Sequence, residues 1–191
     1  SVNLKEYNKK LSDISYALQD WKIVKKIEKL LDLRNLEPDP TLYASGLSMM
    51  FKNDYLNPHI DNSHDAKRKK YRRLNLLFYV SPDWNYDNGG NFELWDESVT
   101  MQKTIISSFN RLLVMETNKK SWHSVSKVNV SKPRCCVSSY FFSEQSPDKK
   151  EYFHVTSFNG RPNQSLKRII SPLDNKFRNL FSIATKFGRG K

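Results

Sequence analysis

Apolar positions along the chain fall into three regimes of spacing. Leu4, Tyr7, Leu11, Ile14 and Leu18 recur every three or four residues, as do Ile23, Val24, Ile27, Leu30 and Leu31, which predicts two amphipathic helices ahead of Pro38 and Pro40. From Tyr43 the period shortens. Segments near 43–51, 72–80, 91–95, 100–106, 111–116, 121–125, 134–142 and 152–158 are short, rich in β-branched and aromatic residues, and bounded by Gly, Pro, Asn or Asp. About eight such strands predict a β-sandwich or barrel. The helical period returns near the end. There Ser171 is placed as N-cap, Pro172 at the first helical position and Asp174 at N3, with an apolar stripe of Leu173, Phe177, Leu180, Phe181 and Ala184 and a stop at Gly188. This stripe is expected to pack on the sheet or on the first two helices. One domain over residues 1–191 is expected: helical support in 1–38, a β core in 43–158 and a basic amphipathic helix in 163–191.

Composition narrows the class. A chain of 191 residues buries one sizeable core rather than two. No apolar run approaches the roughly 20 residues that cross a bilayer, and Ser1-Val2-Asn3-Leu4-Lys5 has no signal-type apolar stretch. Cys135 and Cys136 are adjacent, which suits neither a disulfide framework nor a structural zinc site. They read as reduced core thiols of a soluble cytoplasmic protein. The net charge of +12 is concentrated: residues 67–73 hold six basic side chains, and residues 145–191 hold ten against three acidic ones. Such patches attract nucleic acid, an acidic partner or an anionic membrane surface. The plainer reading is a solvated loop and a solvated helix face.

Chemistry enters at Asn57-Pro58-His59-Ile60-Asp61. Side chains alternate along a strand, so His59 and Asp61 can offer one imidazole and one carboxylate on the same face. With four His and twelve Asp in 191 residues, one such pair is about a one-in-four coincidence, and its weight depends on the residues downstream. The candidate third ligand is His123 in Ser121-Trp122-His123-Ser124-Val125, with His64 and His154 as competitors. Two histidines and a carboxylate on one face of an iron ion leave positions open for a cosubstrate and dioxygen. Arg134, opening the next predicted strand, has the planar fork that holds a carboxylate bidentately.

Further pieces come in order along the chain: Arg73-Leu74-Asn75-Leu76-Leu77-Phe78-Tyr79-Val80, then Asp83-Trp84, Gly89-Gly90-Asn91-Phe92-Glu93-Leu94, Asn110-Arg111-Leu112-Leu113-Val114, and His123-Ser124-Val125 with Arg134. From about Leu47 to Phe142 the chain thus resembles the Fe(II)- and 2-oxoglutarate-dependent dioxygenases, in particular their prolyl 4-hydroxylase-like branch. The resemblance implies a double-stranded β-helix, or jelly roll, with His59, Asp61 and His123 as catalytic iron ligands. It implies that Arg134 and Tyr79 hold the distal carboxylate of 2-oxoglutarate. Ser138 matches a position that often bears a hydroxyl, and Tyr140 an aromatic bordering the pocket. Trp84 and Tyr86, in the 81–91 loop, are candidates for a lid or substrate wall, and Gly89-Gly90 reads as a turn between strands. Met49 and Met50 stand where the branch commonly has a tyrosine, which makes Met49 a substrate-side candidate.

Fe(II), 2-oxoglutarate and dioxygen are the implied cofactor and cosubstrates, with ascorbate as support. The implied reaction decarboxylates 2-oxoglutarate to succinate and carbon dioxide while hydroxylating a substrate C–H bond. Proline in a peptide or protein is the leading substrate; a free amino acid, sugar or other small metabolite is the alternative. A nucleic-acid demethylase would carry a second arginine where Tyr140 stands. From another class comes a non-enzymatic jelly-roll module that binds an acidic partner through residues 67–73 and the last helix. Oligomeric state has no signature in the sequence.

Overall fold

Cap chemistry sets the first boundaries in the computed structural model of the protein, which describes residues 8–148 and 150–185. Asn8 accepts the Lys10 and Leu11 N–H groups at the head of α1 (Lys9–Ala17), and Asp20 accepts Lys22 N–H at the head of α2 (Trp21–Leu31). Asp32, at φ 49°, closes α2 in the left-handed conformation. The predicted stripes hold at Ile14, Leu18, Ile23, Val24 and Ile27, which join the core. They fail at Leu11, Leu30 and Leu31, which are exposed, while Ser12 and Ser15 are buried. Small side chains let α1 sit close to the sheet, and Ser15 satisfies its buried hydroxyl by donating to the Leu11 carbonyl at 2.8 Å. Glu28 is likewise buried, accepting Leu36 N–H at 2.9 Å where the chain turns back. Leu4 and Tyr7 lie outside the described residues.

Among the described residues ten strands come next: β1 (Glu37–Pro38), β2 (Gly46–Met50), β3 (Leu56–Ile60), β4 (Tyr71–Tyr79), β5 (Phe92–Trp95), β6 (Gln102–Ile105), β7 (Arg111–Glu116), β8 (His123–Val125), β9 (Arg134–Ser143) and β10 (Ser157–Phe158). They form two antiparallel sheets, one ordered β1-β9-β4-β7 with β2 also on β9, the other β10-β3-β8-β5-β6. The protein is therefore mainly β, flanked by helices at both ends. β1 falls outside the eight segments anticipated, and β3, absent from those eight, reads as a strand only through the His59–Asp61 spacing. Proline normally interrupts a ladder, and at Pro58 the β3–β8 register shifts between Leu56 and His59.

The long β4–β9 pair divides the interior. On one face Leu74, Leu76, Val137 and Phe141 pack against Leu18, Val24, Ile27 and Leu36 from the helical side, forming the hydrophobic core. Residues directly opposite on paired strands share a face, so Asn75 with Tyr140, Leu77 with Ser138, and Tyr79 with Cys136 project the other way, toward the second sheet. A bulge between Arg72 and Leu74 shifts the register, turning Arg72 inward beside Tyr140 and Phe142.

The last helix differs from expectation twice. It spans Ser165–Thr185, here α3, so Ser171 is not its cap and Pro172 lies inside it. The start is fixed earlier, where Arg161 N–H donates to Gln164 Oε1 and Arg168 N–H to the Gln164 carbonyl. Leu173, Phe177, Leu180 and Phe181 face solvent rather than the sheet. Polar bonds hold the opposite side: Asn175 accepts Phe158 N–H and donates to the Phe158 carbonyl, completing the edge of β10. Gly188 lies outside the described residues. Among those described, no helix is long and apolar enough to cross a membrane. The basic run is not a uniformly solvated loop either. Arg72 and Arg73 are buried, Arg68 donates to Ser182 of α3, and Lys70 pairs with Glu37.

Candidate metal centre

Pairing of β3 with β8 sets His59 directly opposite His123, with ring centroids 4.1 Å apart. Asp61, one residue beyond β3, lies 3.9 Å from His59 Nε2 through Oδ1 and 3.8 Å from His123 Nε2 through Oδ2. The three ligand atoms lie within 4.8 Å of one another, and all three residues are buried. Each imidazole is oriented by backbone two residues earlier. His59 Nδ1 meets the Asn57 carbonyl at 3.0 Å and His123 Nδ1 the Ser121 carbonyl at 2.9 Å. A carbonyl only accepts, so Nδ1 carries the proton and Nε2 keeps its lone pair facing the centre.

Burial disfavours the imidazolium of His59 and, with the charge of His123, brings its pKa down to about 4 against the pull of Asp61. Burial alone would raise the Asp61 carboxyl. The charges of His123, Arg72 and His59, and the Asn75 amide at 3.3 Å, outweigh it and hold the carboxyl below its ordinary value. A divalent ion requires neutral imidazoles and a carboxylate, and the lowered values of His59 and Asp61 favour those forms at these two residues.

On the same inward face, Arg134 opens β9. Its Nε donates to the Gly90 carbonyl at 2.9 Å, its guanidinium carbon lies 4.9 Å from the centre of the Tyr79 ring, and its Nη1 lies 3.8 Å from Met50 Sδ. The Tyr79 hydroxyl is buried near Ser107 and Arg134, with no partner at full hydrogen-bond geometry among the described residues. Burial pushes its pKa up to about 12, keeping it a proton donor.

Residues 45–142 match the family model described as the 2OG-Fe(II) oxygenase superfamily. The chain belongs to that superfamily. Over 88 residues it is 31% identical to the Mus musculus protein named Prolyl 3-hydroxylase OGFOD1, a match covering 43% of this chain and 16% of the mouse protein. A solved prolyl 4-hydroxylase from Phytophthora capsici superposes with TM-score 0.56 at 14% identity, over 94% of this chain and 54% of that one. HygX from Streptomyces hygroscopicus, solved with nickel and 2-oxoglutarate bound, gives TM-score 0.50 at 11% identity, over 73% and 69% respectively. The chain thus spans about half the length of the Phytophthora structure and less of the mouse protein.

Membership implies Fe(II) and 2-oxoglutarate, and the residues of this chain fit both. Two imidazole nitrogens and a carboxylate oxygen form the donor set that suits a non-haem iron. The Tyr79 hydroxyl and the Arg134 guanidinium supply donors for a carboxylate.

Not every anticipated residue reaches the candidate centre. Met49 is 57% exposed. β2 pairs Met50 with Arg134, so Met50 faces inward and Met49, its neighbour, faces out. Trp84 is buried and donates from Nε1 to the Gly89 carbonyl at 2.8 Å, which pins the 81–91 loop from within instead of forming a lid. Tyr86 is exposed. Ser138 shares the face of Arg134 and donates to the Gly46 carbonyl at 3.3 Å. Tyr140 lies close to the triad; burial and then the Asp61 charge raise its pKa. His64 bonds with Ser63 Oγ and stays outside the cluster, as does His154, whose Nδ1 meets the Val155 carbonyl.

Sequence reasoning missed several neighbours of the centre. Asn75 holds Asp61, and Cys136 lies between Arg134 and Ser138 on the inward face, where burial pushes its thiol up to about 11. Gly90 is more than a turn, since its carbonyl carries Arg134. Arg72 is 2% exposed, with its Nη1 3.7 Å from Asp61 Oδ1 and its guanidinium carbon 3.7 Å from the centre of the Tyr140 ring. Its Nε and Nη2 have no hydrogen-bond partner among the described residues.

Proposed function

We propose that this oxygenase hydroxylates proline in a peptide or protein, with Fe(II) held by His59, Asp61 and His123 and the distal carboxylate of 2-oxoglutarate held by Arg134 and Tyr79. The two sheets are read as the halves of a jelly roll that enclose the site. The convergence of three buried ligand atoms, each imidazole fixed by a backbone carbonyl, carries this reading.

When bound, the iron couples oxidative decarboxylation of 2-oxoglutarate to oxygen insertion into a C–H bond, so that substrate, 2-oxoglutarate and dioxygen give hydroxylated substrate, succinate and carbon dioxide. The chain supplies position. Arg134 and Tyr79 bind one end of the cosubstrate as ion pair and hydrogen-bond donor, which orients its other end toward the ligand set. The buried surroundings exclude water.

Arg72 supports a peptide substrate. Buried guanidinium donors without acceptors are costly, and a backbone carbonyl delivered next to Asp61 would satisfy them. The name of the mouse relative points to the same substrate class.

The test has two stages. Anaerobic addition of Fe(II) and 2-oxoglutarate is expected to produce a visible charge-transfer band, absent in His123→Ala and weakened in Arg134→Ala. A folded protein that gives no band at saturation would overturn the metal-site reading. Proline-containing peptides are then expected to stimulate succinate formation and to gain one oxygen at proline, with chromatography of the hydrolysate separating 3- from 4-hydroxyproline. Stimulation by small metabolites alone would overturn the peptide assignment and leave the metal site intact.

A further inference from the structure

Helix α3 is mounted with its polar side toward the body of the protein. Asn175 is bound to both backbone groups of Phe158, Arg168 donates to the carbonyls of Val99 and Ser98, and Ser182 accepts from Arg68. These bonds fix the rotation of the helix about its axis and leave eight apolar side chains between 53% and 75% exposed. They amount to on the order of 900 Å² of apolar surface, beyond the roughly 300–600 Å² of the largest patch on a typical monomer and about the 800 Å² per partner of a stable interface.

The pattern of this face identifies its partner. Leu166, Ile170, Leu173, Phe177, Leu180 and Ala184 keep the alternating four-three spacing of a helix-pairing seam, and no charged residue interrupts it. That spacing reads the same in both directions about residue 175. An antiparallel pair therefore sets Leu173 against Phe177 of the second copy, Ile170 against its Leu180 and Leu166 against its Ala184.

Charge agrees with the same register. Beside Arg168 lies the loop carrying Asp96 and Glu97, the latter paired with Lys120 of its own copy at 2.8 Å, and beside Ser182 lies the loop carrying the exposed Lys67 and Lys69. Residues 168 and 182 are equally distant from 175, so the pairing brings the acidic loop of each copy level with the basic loop of the other. An anionic lipid surface would instead meet acids at one end of the helix. We propose that α3 is a self-association helix and that a second copy of this chain, antiparallel across Leu173 and Phe177, covers its apolar face.

Sedimentation velocity of the full chain tests this, and the metal-binding chromophore serves as an independent check that each variant is folded. A dimer is expected for the unaltered chain, with its dissociation constant raised at least about 100-fold in the Leu173→Glu/Phe177→Glu variant, since charges would be buried at the seam. Should that variant not fold, chains carrying Leu173→Cys mixed with chains carrying Phe177→Cys are expected to form the mixed disulfide ahead of either self-pair. The proposal is overturned by an unaltered chain that stays monomeric, by a dimer that survives Leu173→Glu/Phe177→Glu, or by preferential self-pairing of the cysteine variants. A monomer that co-sediments with phosphatidylserine vesicles through this face would also overturn it, assigning the helix to a lipid surface.

Discussion

Arg134 and Gly90 are built as one unit: the arginine Nε donates to the glycine carbonyl at 2.9 Å, and a β-carbon on Gly90 would lie 3.3 Å from Arg134 Cγ and Cδ. The same carbon would lie 3.0 Å from Val128 Cγ2, and Gly90 has φ +61°. Gly90→Ala therefore combines about 1 kcal/mol of left-handed backbone strain with pressure on the guanidinium. A loss of about tenfold in 2-oxoglutarate affinity is expected, measured by titrating the anaerobic absorbance band. Unchanged affinity would show that Arg134 keeps its position without this support.

On the proposed reading, Arg72 serves substrate binding and not cosubstrate binding. Arg72→Gln removes the charge and part of the fork but retains a polar side chain, so the 2-oxoglutarate titration is expected to stay within about twofold, while kcat/KM for a responsive peptide falls roughly 10- to 100-fold, the range of one hydrogen bond to a charged group. Equal losses in both measurements would assign Arg72 to the upkeep of Asp61 rather than to substrate.

His59 gives the metal-free protein an acid-sensitive fold. Its pKa of about 4 lies below the ordinary imidazole value of 6.5. As pH falls from about 6.5 toward 4 the unfolded chain takes up this proton first, and stability is lost across that window by on the order of 3 kcal/mol. Asp61, whose carboxyl is held low, acts in the same direction at still lower pH. Urea midpoints of the metal-free protein at about pH 7, 5.5 and 4.5 should therefore decline, and His59→Gln should remove part of the decline between about pH 6.5 and 4.5, the rest belonging to His64 and His154, whose pKa values burial also lowers. A parallel decline in the variant would place the acid sensitivity elsewhere.

Glu93 and Arg161 form an ion pair of 2.7 Å on the second sheet, and Ser124 ties it in by donating to Glu93 while accepting from Trp95 Nε1. Glu93 is buried. Arg161→Met strands its carboxylate and is expected to destabilise the protein by about 3 kcal/mol in urea unfolding; pairing it with Glu93→Gln should restore part of the loss. A double variant no better than the single one would mean that packing, not charge, dominates there.

The metal centre is legible in the sequence because strand geometry makes a two-residue spacing meaningful, and because His123 and Arg134 come after it in order. The features that escape depend on single-residue parity. A strand shifted by one residue exchanges its faces, which is why Met50 and not Met49 approaches Arg134. Arg72 is hidden in a run of positive charge, and only the bulge beside it turns it inward. Helical period likewise locates the apolar stripe of α3 without its direction, because the polar bonds that choose the inward side come from Arg68 and from the Phe158 backbone, far away in the chain. Trp84 resembles a wall in the sequence because an aromatic in a loop looks like surface until its Nε1 finds a carbonyl.

The carbonyls of Asn57 and Ser121 have a bearing on which ion the protein carries. Each histidine takes its orientation from backbone two residues away, so the donor set is fixed before any ion arrives. A receptor prepared in this way discriminates little between first-row ions that accept nitrogen and oxygen donors, and later members of the row bind such a set more tightly than Fe(II) does. On the proposed reading, occupancy by iron then depends on which metals are available as well as on the donor set.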